Sequence, residues 1–152
     1  EELFEYGNLL GVKECAGNER MGYYEERGIA CWSGNDDQCF EGRHRHNSHG
    51  VISVIANLLP GLMRRLMNED DPALNERLQP LMAWLFHVPS PNALNTALAM
   101  TGAVKPVFRL PYAQVGREAR QEALEMLRTF TVEERVGNLL ELMEDEQFEL
   151  SC

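Results

Sequence analysis

Lys13 is the residue around which chemistry can be built. It closes the apolar run Leu9-Leu10-Gly11-Val12 and is followed by Glu14-Cys15-Ala16-Gly17-Asn18, where turn residues take over. A short apolar run bounded by Gly and Asn reads as a buried strand entering a turn. Parallel α/β folds and barrels carry their chemistry at that carboxyl end. An ammonium group desolvated at such a strand end gives up its proton more readily, and the free amine then attacks a carbonyl to form a Schiff base. The plain alternative is a lysine that snorkels to the surface.

Four further features compete for a role beside it. In Ser33-Gly34-Asn35-Asp36-Asp37, the glycine permits close approach of a substrate and backbone N–H groups could receive a carboxylate; the simpler reading is a strand-to-helix turn. Cys15 lies two residues beyond Lys13 and shares its strand face, but no Cys-His dyad accompanies it, so a small buried hydrophobe is the default. His44, His46 and His49 suggest metal ligation, yet His44 and His46 do not share a helix face and no acidic ligand stands at a fixed offset, so no metal is expected. Arg109-Leu110-Pro111-Tyr112 could reach a site or pack as a loop beneath the fold.

The elements that must position these residues alternate. Strands are predicted at Leu9–Glu14, Ile29–Ser33 and Val51–Ile55, the last β-branched at four of five positions. Between them lie a helix capped by Asn18 and ended by Gly28, and a second from Asp37 to about His46. Strand–helix–strand–helix–strand at this spacing implies parallel strands with right-handed crossovers. Beyond residue 57 only helices are predicted: an apolar stripe at Leu58, Leu59, Leu62, Met63, Leu66 and Met67, a helix opened by Asp71-Pro72 with Leu74, Leu78, Leu81 and Leu85 on one side and a bend at Pro80, a helix over Pro91–Thr101, and one over Glu118–Phe130. In that last helix Ala119, Ala123, Met126, Leu127 and Phe130 are expected inward and Arg117, Arg120 and Arg128 outward. Residues 103–112 read as extended and irregular, and 132–152 as a short helix and acidic tail. Leu3-Phe4 with Tyr6 suggests the end of a preceding helix.

Composition narrows the partners. The 152 residues carry 24 acidic against 14 basic side chains, a net charge of -10. Without a basic stripe to offset phosphate repulsion, nucleic acid and anionic membranes are disfavoured. Every apolar stretch is too short for a membrane span of about 20 residues. Cys15, Cys31, Cys39 and Cys152 show neither CxxC pairing nor zinc spacing, which favours reduced thiols and a reducing compartment. The chain opens on Glu1-Glu2-Leu3 and its first methionine is Met21, the expectation for a fragment or processed piece.

The motifs Gly11-Val12-Lys13-Glu14-Cys15-Ala16-Gly17-Asn18, Trp32-Ser33-Gly34-Asn35-Asp36-Asp37, Gly50-Val51-Ile52-Ser53-Val54 with Ala56-Asn57, and Pro106-Val107-Phe108-Arg109-Leu110-Pro111-Tyr112 resemble, in order, the C-terminal half of the 4-hydroxy-tetrahydrodipicolinate synthase (dihydrodipicolinate synthase) family. Leu59-Pro60-Gly61-Leu62-Met63 and Pro91-Asn92-Ala93-Leu94-Asn95-Thr96-Ala97-Leu98-Ala99 look most like its plant-type members. The resemblance runs from about residue 9 to 130; it departs at Ile55-Ala56, where Thr-Ala or Thr-Ser is usual, and in the tail after Phe130.

The resemblance implies an α/β fold: about strands six to eight of a (β/α)8 TIM barrel over residues 1–70, and a C-terminal helical extension over 71–152. It implies a Schiff-base lyase that condenses pyruvate with aspartate semialdehyde in lysine biosynthesis by the diaminopimelate route, with no cofactor, as a plastid homo-tetramer. By position, Lys13 matches the pyruvate-binding lysine, while Gly34 and Ile52 match positions lining the pyruvate pocket, Ile52 chiefly through its backbone. The family's Gly-Thr-Thr-Gly-Glu motif, proton-relay tyrosine and threonine, aldehyde-recruiting arginine and lysine-inhibitor site have no counterpart in this sequence. Two rivals follow: another pyruvate-dependent Schiff-base aldolase, and a non-catalytic chain that associates with intact subunits.

Overall fold

The computed structural model describes residues 5–151. Leu3 and Phe4, from the expected preceding helix, lie outside the described residues, and Tyr6 is largely exposed. Two compact units are present: residues up to Ser53 with Arg65–Pro72 form the first, and Val54–Arg64 with residues from Ala73 onward form the second.

The first unit contains β1 (Gly11–Glu14), α1 (Glu19–Glu25), β2 (Ala30–Ser33), a 3-10 turn over Asp36–Gln38, α2 (Cys39–Arg45) and β3 (Gly50–Val51). The strands form one parallel sheet in the order β1-β2-β3, as the alternation of elements required. Lys13 pairs with Trp32, which in turn pairs with Gly50. A Cβ at Gly11 would lie 2.4 Å from the Trp32 ring, so glycine there is what admits the indole.

Helix α1 ends as a Schellman motif, with the Ile29 N–H donating to Tyr24 O at 3.0 Å, the Gly28 N–H to Glu25 O at 2.8 Å, and Gly28 at φ +67°. Asn18 does not cap its start: it is already helical in backbone, and its side chain instead donates to Gln38 O at 3.1 Å. A tertiary partner has outcompeted the local one. The third strand is shorter than β-branching suggested. Only Gly50–Val51 pair, and the chain then turns through a 3-10 segment, Ile55–Asn57, where Ile55 is fully buried. Of the four branched residues only Ile55 is buried, and a turn buries it as well as a strand would.

Helix α3 (Pro60–Asn68) starts at its proline and buries Leu62, Met63 and Leu66. Its first half counts with the second unit, which continues with α4 (Pro72–Leu85), α5 (Asn92–Met100), β4 (Val107–Arg109), α6 (Arg117–Leu127), a 3-10 turn over Asp145–Gln147 and β5 (Glu149–Ser151). In α4 Leu74, Leu78, Leu81 and Leu85 are buried together, and the helix runs through Pro80 without interruption. The Trp84 indole N–H donates to Ala119 O at 3.0 Å, tying α4 to α6.

Two expectations fail in this unit. Arg120 is inward and wholly buried, along with Ala123, Leu124 and Leu127, whereas Ala119 and Met126 are only half-buried. Its guanidinium donates to Val115 O and to Asp145 Oδ1, both at 2.6 Å, and lies over the Phe148 ring, so the buried charge is met by a carboxylate at the surface. Among the described residues the tail holds no α-helix. It hydrogen-bonds back at Leu58, Thr101 and Met100 and ends as β5, parallel to β4. Gly137, at φ +89°, passes so close to Thr101 O that a Cβ would stand 2.1 Å from it.

Candidate functional site

Alternation along three parallel strands decides which side chains meet. The register pairs Glu14 with Ser33 and Ser33 with Val51; continued by one residue, it sets Cys15, Gly34 and Ile52 side by side, on the face that also carries Lys13 and Trp32. The opposite face holds Glu14, Cys31 and Ser33, all buried. Lys13, Gly34 and Ile52 therefore occupy one face at the carboxyl end of the sheet.

That face is open. Lys13 is exposed and Ile52 is 52% exposed, so the desolvation expected for the lysine is absent from these residues. Neither β1 nor β3 has a further strand beside it among the described residues, and parallel sheets ordinarily have both faces covered.

Gly34 and Lys13 are in contact range. A Cβ at Gly34 would lie 2.7 Å from Lys13 Cε and 2.2 Å from Cys15 Sγ. Glycine is what leaves space beside the amine. The turn after β2 is less available as a carboxylate cradle than its sequence suggested: the Gly34 N–H donates to Glu14 O at 2.7 Å and the Asn35 N–H to Ser33 Oγ at 3.3 Å. The Ile52 N–H donates to Ser33 O at 2.8 Å, which leaves its carbonyl as the backbone group it can present.

Glu14 and Tyr24 were not anticipated. Glu14 is 7% exposed; its carboxylate accepts the Ala16 N–H at 2.6 Å and the Tyr24 hydroxyl at 2.9 Å. The bond to Glu14 pushes the Tyr24 phenol above its ordinary value, with burial and the carboxylate's charge adding. The pair fastens the turn after Lys13 to α1. Nothing local in the sequence signals it, because the partners are ten residues apart across a turn.

His44 and His49 are engaged by the backbone. His44 Nε2 lies 2.8 Å from Leu66 O, and His49 Nδ1 accepts the Cys31 N–H at 3.3 Å. Among the described residues no group of three or more His, Cys, Asp or Glu could hold a metal ion, and no helix is long and apolar enough to cross a membrane. Leu110 and Tyr112 are exposed on the second unit.

A parallel α/β sheet with a lysine at its open carboxyl end is the class of scaffold that TIM-barrel enzymes build on, and the structural relatives are of that class. The solved structure of a chloride-inhibited dihydrodipicolinate synthase from Acinetobacter baumannii, complexed with pyruvate, superposes with a TM-score of 0.75 at 25% identity, over 84% of this chain and 47% of that one. The sequence profile of the dihydrodipicolinate synthetase family matches residues 1–130. The chain belongs to that family. It is 49% identical over 152 residues to 4-hydroxy-tetrahydrodipicolinate synthase 2, chloroplastic, of Triticum aestivum, covering 99% of this chain and 40% of that protein. It is 49% identical over 143 residues to the chloroplastic 4-hydroxy-tetrahydrodipicolinate synthase of Nicotiana tabacum, covering 93% and 40%. The chain thus spans about 40% of the length of the curated relatives it matches. The family profile ends at residue 130, where the sequence was expected to depart from the family, while the alignment with the wheat protein extends over 99% of the chain.

Proposed function

We propose that this chain is the C-terminal part of a plant-type 4-hydroxy-tetrahydrodipicolinate synthase, with β1, β2 and β3 as barrel strands six to eight in residues 1–70 and residues 71–152 as the helical extension. In the complete enzyme the Lys13 amine adds to the ketone of pyruvate and expels water, forming an imine. Loss of a methyl proton gives an enamine, whose carbon attacks the aldehyde of aspartate semialdehyde; ring closure by the substrate's own amine frees Lys13. Gly34 supplies the space in which pyruvate approaches the amine, and Ile52 lines the pocket with its carbonyl. The proton-relay and aldehyde-recognising groups come from the preceding β/α units. The assembly is a homo-tetramer in the plastid.

The observation that supports this reading is the shared open face of Lys13, Gly34 and Ile52. Borohydride reduction in the presence of pyruvate tests it. The expected result is one reduced pyruvyl group, mapped to Lys13; an adduct on another lysine of the complete enzyme, or none, overturns the assignment. An adduct that forms only after the preceding β/α units are supplied as a separate polypeptide identifies this chain as an incomplete barrel that needs its missing strands, which the unpaired edges of β1 and β3 favour.

A further inference from the structure

Cys15 is the reactive group beside Lys13 that the proposed condensation does not use. It is free and exposed, two residues beyond Lys13 and on the same face. Both side chains lean over Gly34, where a single added carbon would lie 2.2 Å from Cys15 Sγ and 2.7 Å from Lys13 Cε. Nζ is one bond beyond Cε, so thiol and amine are both carried over the same glycine.

The backbone carrying the pair is stitched down. The Gly34 N–H donates to Glu14 O at 2.7 Å, the Asn35 side-chain amide to Cys15 O at 3.0 Å, and the Ala16 N–H to the Glu14 carboxylate at 2.6 Å. Cys31 and Cys39 differ sharply. Both are buried, and burial pushes their thiols up, that of Cys39 to about 12 with Asp36 and Asp37 contributing. Oxidation needs access, and Cys15 alone of these three is exposed.

We propose that Lys13 and Cys15 form a peroxide-sensitive pair, in which oxidation of the thiol ties up the amine. The Cys15 thiolate attacks one oxygen of hydrogen peroxide; the O–O bond breaks, the sulfur becomes a sulfenic acid, and the departing hydroxide leaves as water with the thiol proton. The Lys13 amine then attacks that sulfur. An S–N bond forms, the S–O bond breaks, and water departs with one amine proton. Thiol, amine and peroxide give a sulfenamide and two waters: sulfur loses two electrons and peroxide gains them. An external thiol attacks the sulfur and releases the amine, and a second one frees Cys15 from the mixed disulfide. The link stands on geometry alone. Its consequence, a lysine unable to form an imine, rests on the proposed function.

Peptide mapping after brief hydrogen peroxide treatment tests the link. Trypsin cuts after Lys13 and after Arg20 in the reduced protein. The linked form instead yields a peptide uncut at Lys13, about 2 Da lighter than its unmodified uncut counterpart, and dithiothreitol restores normal cutting. Cys15→Ser abolishes it. The proposal is overturned if Cys15 is carried to sulfinic or sulfonic acid while Lys13 is still cut normally, or if the mass loss appears with normal cutting, which places the sulfur on a backbone nitrogen. Pyruvate trapping, measured in parallel, is lost on oxidation and survives it in Cys15→Ser. Failure of the untreated protein to trap pyruvate even with the preceding β/α units supplied counts against the imine reading alone, because the mass of the link is read independently.

Discussion

Gly34 sits directly beside Lys13: a methyl group placed on it would stand 2.7 Å from Lys13 Cε. A strand pairing brings them together across 21 positions of sequence, and the missing side chain is what keeps the amine accessible. Gly34→Ala is expected to leave the fold intact, because the two nearest atoms belong to the Lys13 and Cys15 side chains, which can swing away, and the Glu14 carbonyl at 3.2 Å needs to give by only a few tenths of an ångström. The displaced amine is expected to lose at least about tenfold in the rate of pyruvate trapping. Circular dichroism alongside borohydride trapping checks both halves; full trapping in the variant would show that the glycine is not needed there.

Glu14 is expected to be costly to remove. Glu14→Ala removes the acceptor of the Ala16 N–H and of the Tyr24 hydroxyl, two part-buried bonds, a loss of about 1 kcal/mol. Urea unfolding measures it, and a variant within about 0.5 kcal/mol of the parent would contradict the fastening role.

Alkaline pH probes the same contact. The folded state holds the Tyr24 phenol above its ordinary 10.0, chiefly through the hydrogen bond to Glu14, and so favours the protonated form. This contribution is complete below the unfolded value and disappears as pH rises through the folded one. Tyrosinate absorbance is expected to show a late-ionising tyrosine, and Glu14→Gln is expected to return it toward the ordinary value.

The thiols are expected to separate by reactivity. Burial holds Cys39 at about 12, with Asp36 and Asp37 adding, and raises Cys31 as well. At mildly alkaline pH iodoacetamide should therefore label Cys15 in the folded protein and reach Cys31 and Cys39 only after denaturation. Mass mapping reads the order directly; early labelling of Cys39 would contradict its burial.

The tail is expected to depend on Arg120. Asp145→Ala leaves a fully buried guanidinium with Val115 O as its remaining hydrogen-bond acceptor. Because the Asp145 side chain is 68% exposed, solvent softens the loss, which is expected at about 1–2 kcal/mol. Limited proteolysis should then cut within residues 144–151 before any other site.

The sequence by itself determined the parallel order of three strands, the buried stripes of α3 and α4, and the motifs that resemble one family. These are legible because side-chain period, turn residues and linear motifs are written in neighbouring positions. Tertiary structure decided the rest. Nothing local distinguishes Arg120 from the exposed Arg117 and Arg128 until Asp145 and Phe148 arrive from a segment 25 residues away. Asn18 gives up its cap to Gln38, Ile55 finds burial in a turn, and residues 149–151 become a strand because β4 offers a free edge. The meeting of Lys13, Cys15 and Gly34 is of the same kind: alternation puts Lys13 and Cys15 on one face, but only the pairing of β1 with β2 places a glycine beneath both.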